Sequence, residues 1–72
     1  MSQHTLALEV VSLVSGNIAQ AESDDDPLKL AAVIAGCQLL ETRAQNTLAG
    51  RVSQNVINDI KTAARAELGP GW

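Results

Sequence analysis

Asp24-Asp25-Asp26-Pro27 is the stretch that decides the fold, because it separates two segments that both carry apolar residues at helical spacing. Asp26 followed by Pro27 predicts a helix start, since a carboxylate accepts a hydrogen bond from a free backbone amide and proline needs no donor in the first turn. Acidic side chains also suit the positive end of the helix dipole. We therefore expect a turn at residues 23–26 and a helix over residues 27–49.

This second helix is apolar nearly all round in its first half, where alanine, glycine and leucine surround the main stripe. A helix that is apolar on several sides is usually buried on several sides. We therefore expect it at the centre of the fold and of a homodimer. The residues taken as the dimer interface are those of the main stripe: Leu30, Val33, Ile34, Cys37, Leu40 and Ala44.

Two further helices flank it, over residues 2–22 and 53–68, with a tail at 69–72. Ser2 or Thr5 caps the first, and Ser53 caps the third. Gly50 is the expected C-cap of the second helix, although one long rod through Gly50 is the alternative. The pattern predicts an all-α fold, as an antiparallel helical hairpin or a three-helix bundle in a single domain over residues 1–72.

The size of the chain favours association. It has 72 residues and only one aromatic side chain, Trp72, so each buried residue contributes little. Cores of this size give only a few kcal/mol, and small proteins usually add a disulfide, a metal or a partner subunit. Cys37 is the only cysteine and His4 the only histidine, which leaves a partner subunit. We expect a homodimer.

No residue pattern in the sequence points to catalysis, a cofactor or a metal. The aspartates lead directly into Pro27 and a helix, without the glycine and closing glutamate of a calcium loop. Cys37 lies on the apolar stripe, so we interpret it as a small core residue; His4 is interpreted as part of a frayed terminus. We expect a protein that is not an enzyme.

The charge distribution leaves nucleic acid as the main competitor to a protein partner. Residues 1–27 hold five acidic and no basic side chains, whereas residues 28–72 hold five basic and three acidic ones. The third helix combines amides with cations that suit bases and phosphates: Gln54, Asn55, Asn58, Lys61 and Arg65. An isoelectric point near 4.7 opposes this, because phosphate contacts dominate such affinity.

These observations predict a small, acidic regulatory or adaptor protein, such as an inhibitor, that binds another protein and modulates it. No apolar run reaches the roughly 18–20 residues needed to span a membrane, so we expect a cytoplasmic protein. A helix-turn-helix-like nucleic-acid-binding regulator is the alternative. The candidate partner-binding residues are charged or aromatic ones on expected exposed faces: Glu9, Arg43, Arg51, Lys61, Arg65 and Trp72.

Overall fold

The computed structural model describes residues 2–72, so Met1, the first residue of the predicted domain, lies outside the described residues. It contains three helices, α1 (Gln3–Ser23), α2 (Pro27–Leu48) and α3 (Gln54–Leu68). Residues 2–72 contain no β-strand. The prediction of an all-α, three-helix fold is confirmed.

The helix starts differ in how well they are capped. Asp26 is in an extended conformation, and its Oδ1 accepts hydrogen bonds from the backbone amides of Leu28 (3.0 Å) and Lys29 (3.4 Å). At the start of α1, the Thr5 amide donates to Ser2 Oγ at 3.3 Å. Ser53 precedes α3, as predicted, but its side chain makes no capping hydrogen bond. The start of α2 therefore depends most on a single side chain.

The end of α2 rules out the continuous rod and moves the predicted cap by one residue. Ala49, not Gly50, is the C-cap, with a φ of 53° and its amide donating to the Gln45 carbonyl at 2.9 Å. Gly50 follows with a φ of 72°, so two consecutive residues in the left-handed region turn the chain away from the helix. Arg51 closes this end, because its Nε and Nη2 donate to the carbonyls of Leu48 and Thr47, both at 2.8 Å.

The chain forms two compact units, and both contain part of α1. Unit 1 comprises the chain up to Leu13 together with Val52–Trp72, so the first half of α1 is grouped with α3. Unit 2 comprises Val14–Arg51, so the second half of α1 is grouped with α2. In unit 1, His4 lies in the first turn of α1, and its Nε2 is 3.4 Å from Glu67 Oε1 on α3. The interpretation of His4 as part of a frayed terminus was therefore wrong.

Each unit has a very small buried centre. The buried apolar residues are Ala64 in unit 1 (4% exposed) and Ala21 in unit 2 (1% exposed). α2 contains no buried residue, and Cys37 is exposed. The prediction of Cys37 as a core residue was therefore wrong for the single chain. The physical reason is that α2 is apolar on several sides, whereas unit 2 offers it only the second half of α1.

Candidate protein-interaction surfaces

Unit 2 carries an open groove of about 880 Å³ between α1 and α2, which we call the α1/α2 groove. The middle of its α2 wall contains small side chains: Ala32 and Gly36 lie one helical turn apart, and Val33 and Cys37 follow them. A methyl group placed on Gly36 would meet no atom within 4 Å apart from its chain neighbours and the nearby backbone of α2 itself. The surface of α2 is therefore open at Gly36, and the backbone of another helix could approach it closely there.

Large apolar side chains edge the α1/α2 groove. Leu39 is 73% exposed and Leu40 is 63% exposed, and both line it. At about 25 cal/mol for each Å² removed from water, covering such side chains stabilises a complex substantially. The groove thus offers apolar area that the chain itself does not cover.

The charged residues of this groove lie near its two ends. Lys29 Nζ lies 2.6 Å from Asp24 Oδ2 in the turn before α2. This ammonium, followed by the Gln20 amide at 3.0 Å, holds the pKa of Asp24 below its ordinary value. Arg43 also lines the groove, and it forms no ion pair with any residue in the described range 2–72. One end is therefore locally neutralised, and the other keeps a cation open to a partner.

Unit 1 carries a second groove, of about 390 Å³, between the first half of α1 and α3; we call it the α1/α3 groove. Its floor is apolar, formed by Ala7 and Val11 of α1 and by one row of α3: Ile57, Ile60, Ala64 and Leu68. These α3 residues recur every three or four positions, so they share one face of the helix. The groove therefore follows the seam between the two helices of this unit.

Three of the candidate partner-binding residues meet at the α1/α3 groove. Lys61 and Arg65 are one helical turn apart on α3, and Trp72 lies beside them, half exposed, after the turn at Gly69–Gly71. Neither cation forms an ion pair within residues 2–72. An apolar floor, two open cations and an indole ring therefore lie together.

The other predicted residues are dispersed. Arg43 lines the α1/α2 groove, Glu9 is exposed on α1 outside both grooves, and Arg51 is engaged with the end of α2. Of the predicted dimer interface, Val33, Cys37 and Leu40 line the α1/α2 groove, whereas Leu30, Ile34 and Ala44 do not.

The sequence interpretation missed other residues that line the grooves, chiefly Ala32, Gly36 and Leu39 on α2 and Ala7 and Val11 on α1. A signal for two of them was present, because Ala32 and Gly36 are small residues at a spacing of four. The α1 residues lie on its predicted apolar face, but nothing in that face tells which helix it packs against.

Residues 2–72 contain no group of three or more His, Cys, Asp or Glu side chains placed to hold a metal ion. None of their helices combines the length and the apolar character needed to cross a membrane. Comparison with protein-family models, with curated proteins and with solved structures gave no match in any of the three.

Proposed function

We propose that this chain is a small, non-catalytic regulatory or adaptor protein that acts as a homodimer, binds another protein and modulates it. The observation that carries this proposal is the contrast between buried and exposed apolar side chains. Two alanines are buried, while ten large apolar side chains of the described residues are exposed, from Val52 at 39% to Leu13 and Leu28 at 80%. Exposed apolar surface on this scale is typical of proteins that associate.

The α1/α3 groove is the surface for the partner in this proposal. A narrow apolar groove between two helices suits the apolar face of a third helix, which enters with side chains spaced three and four residues apart. Trp72 adds an aromatic side chain of the kind that often dominates binding energy. The partner segment is therefore an amphipathic helix.

The charges at this groove give the partner an acidic face. Lys61 and Arg65 are exposed and lack ion pairs within residues 2–72, so two carboxylates opposite them would neutralise both. Such complementarity speeds association and fixes orientation. Phosphates would also satisfy two cations, but the chain carries a net charge of −3, which repels nucleic acid elsewhere on the surface.

Trp72 provides the test, because it is the only aromatic residue and its fluorescence reports on this groove directly. We expect a saturable change when the protein is titrated with an acidic amphipathic helical peptide of leucine and glutamate. A peptide of leucine and lysine should give none. Replacing Lys61 and Arg65 together by alanine should weaken binding by about tenfold or more.

Arg51→Ala is the matched control, since it also removes a cation but one whose guanidinium binds the chain's own carbonyl groups. Its affinity for the acidic peptide should equal that of the wild type. A response to duplex DNA instead, with steep salt dependence that the double substitution flattens, would support the nucleic-acid-binding alternative and refute a protein partner.

The homodimer has its own test in sedimentation at micromolar concentration. We expect a dimer; a cooperatively folded species of 7.5 kDa would contradict that part of the proposal. The proposal places the protein in the cytoplasm, where Cys37 remains a reduced thiol.

A further inference from the structure

We infer that the α1/α2 groove receives a second copy of this chain, with the two α2 helices crossing antiparallel at Ala32 and Gly36. This inference rests on the homodimer of the proposed function and assigns its surface. It leaves the α1/α3 groove to the other protein.

Gly36 itself favours a close approach by a second helix. A glycine inside a helix costs about 1 kcal/mol relative to alanine, and nothing within the chain requires one at Gly36, because a methyl group there would have open space. A missing side chain is useful where another backbone approaches closely. With Ala32 one turn earlier, the wall of the groove has a low point where a second helix fits.

The exposed surface area of the chain also favours a second copy. The chain exposes 5640 Å², whereas a folded monomer of 7.5 kDa exposes about 4,200 Å² on average. The excess of about 1,400 Å² is spread over both units; covering half of it on each copy would bury about 1,400 Å² in total, the size of a standard stable interface. In unit 2 the apolar side chains that contribute most to this exposure include Leu39 and Leu40, at the edge of the groove.

The charges along α2 indicate the direction in which the second α2 helix runs. Residue 34 is the midpoint of Ala32 and Gly36, and Arg43 lies about 13 Å beyond it along α2 at about 1.5 Å per residue. Pro27, the first residue of α2, lies about 10 Å before that midpoint, and the acidic turn 24–26 directly precedes it. An antiparallel crossing therefore brings Arg43 of each copy near the acidic turn of the other, where Asp25 is the aspartate that neither pairs with Lys29 nor caps α2. A parallel crossing would place the two Arg43 side chains side by side.

The experiment compares two glycines of unit 2. Gly16 and Gly36 both lie inside helices and both have open space for a side chain, but only Gly36 lines the groove. Leucine favours helix at either position. In sedimentation equilibrium from about 1 to about 100 μM, Gly36→Leu should raise the dimer dissociation constant by about tenfold or more, because overpacking a contact is costly. Gly16→Leu should leave it unchanged.

Cys37 gives a second readout that does not depend on any substitution. It is exposed in the single chain and lines the groove, so a thiol reagent should modify it more slowly as the protein concentration rises and dimers form. Gly36→Leu should abolish that concentration dependence, and Gly16→Leu should retain it. Far-UV circular dichroism confirms that each variant is helical.

Arg43→Ala tests the orientation. An antiparallel pair should dissociate more easily, because an attractive charge is lost, whereas a parallel pair should associate more tightly, because a repulsion is lost. Tighter association would therefore overturn the antiparallel assignment.

The possible failures are distinguishable. A wild-type chain that stays monomeric at about 100 μM refutes both the homodimer and this surface. A dimer that tolerates Gly36→Leu and leaves Cys37 equally reactive at all concentrations refutes this surface alone. The titration of Trp72 with acidic peptide is independent of both outcomes.

Discussion

α2 and α3 both pack against a half of α1, yet they leave very different surfaces. α3 carries one apolar row, and that row faces the first half of α1, with Ala64 buried and Ile57 and Ile60 partly buried. α2 is apolar on several sides, and the second half of α1 covers so little of it that no α2 residue is buried. One neighbour suffices for a helix with one apolar face, and α2 needs a second.

This difference between α2 and α3 suits them to two different kinds of contact. A helix that satisfies its apolar face within its own unit can keep cations exposed at that face's edge, and on α3 these are Lys61 and Arg65. A helix that remains apolar outside is suited to association with a copy of itself. The predictions below test whether the two units differ in this way, beginning with the largest expected effect.

The strongest test breaks the buried centre of each unit. Ala64→Asp in unit 1 and Ala21→Asp in unit 2 each place an unpaired carboxylate where the alanine is at most 4% exposed. Burying an unpaired charge costs about 3–5 kcal/mol, enough to unfold a small unit. Urea unfolding followed by far-UV circular dichroism measures the loss.

Exposed alanines of the same helices serve as controls. Ala63→Asp and Ala19→Asp should cost about 1 kcal/mol or less, which is the difference in helix propensity. Trp72 fluorescence should report the Ala64 variant strongly, since both residues line the α1/α3 groove. Equal losses in the buried and exposed variants would show that these alanines are not the centres of their units.

The helices themselves were predictable because local chemistry marks their ends. Asp26 with Pro27 starts α2, and glycine and proline at 69–71 end α3, as the sequence indicates. The left-handed residue at the end of α2 was misplaced by one position, because Ala49 adopts a conformation that costs an alanine far more than a glycine. The observed cap therefore departs from the local preference for glycine.

The grooves were only half predictable. Apolar spacing identified the residues of α1 and α2 that form apolar faces. It did not indicate that the two halves of α1 belong to different units. Cys37 was therefore assigned to a core that one chain does not build. Lys61 and Arg65 could be placed on the same face of α3 from the sequence, because residues four apart on a helix are neighbours. Lys61 and Arg65 share the α1/α3 groove with Ala7 and Val11 of α1 only because the two helices pack together. No local sequence pattern indicates that packing.

A smaller effect is expected from the caps that start α2 and α3. Asp26→Ala removes two hydrogen bonds to backbone amides and should cost about 1 kcal/mol. Ser53→Ala removes a side chain that makes no capping bond, so it should cost about 0.5 kcal/mol or less. Urea unfolding of the two variants side by side measures the difference, and equal costs would contradict the capping assignment.

The smallest effect concerns the turn before α2 and appears only as a dependence on pH. Lys29 first and Gln20 second hold the pKa of Asp24 below the ordinary value of 3.8 that it has in the unfolded chain. The unfolded state therefore binds a proton before the folded state does as the pH falls. The stabilisation is fully present above pH 3.8 and is lost as the pH falls through the lower folded pKa.

Asp24→Asn should accordingly lower the melting temperature slightly at about pH 6, and the difference should disappear as the pH falls through the lowered pKa of Asp24, because the wild-type carboxyl then becomes neutral too. The shift is small because the pair is exposed to solvent. Lys29→Gln should remove most of the same pH dependence, because only the Gln20 contact then remains, and adding it to Asp24→Asn should change little further, because both substitutions remove the Lys29–Asp24 pair. A difference between wild type and Asp24→Asn that persists unchanged at low pH would assign the effect to the shape of the turn instead of its charge.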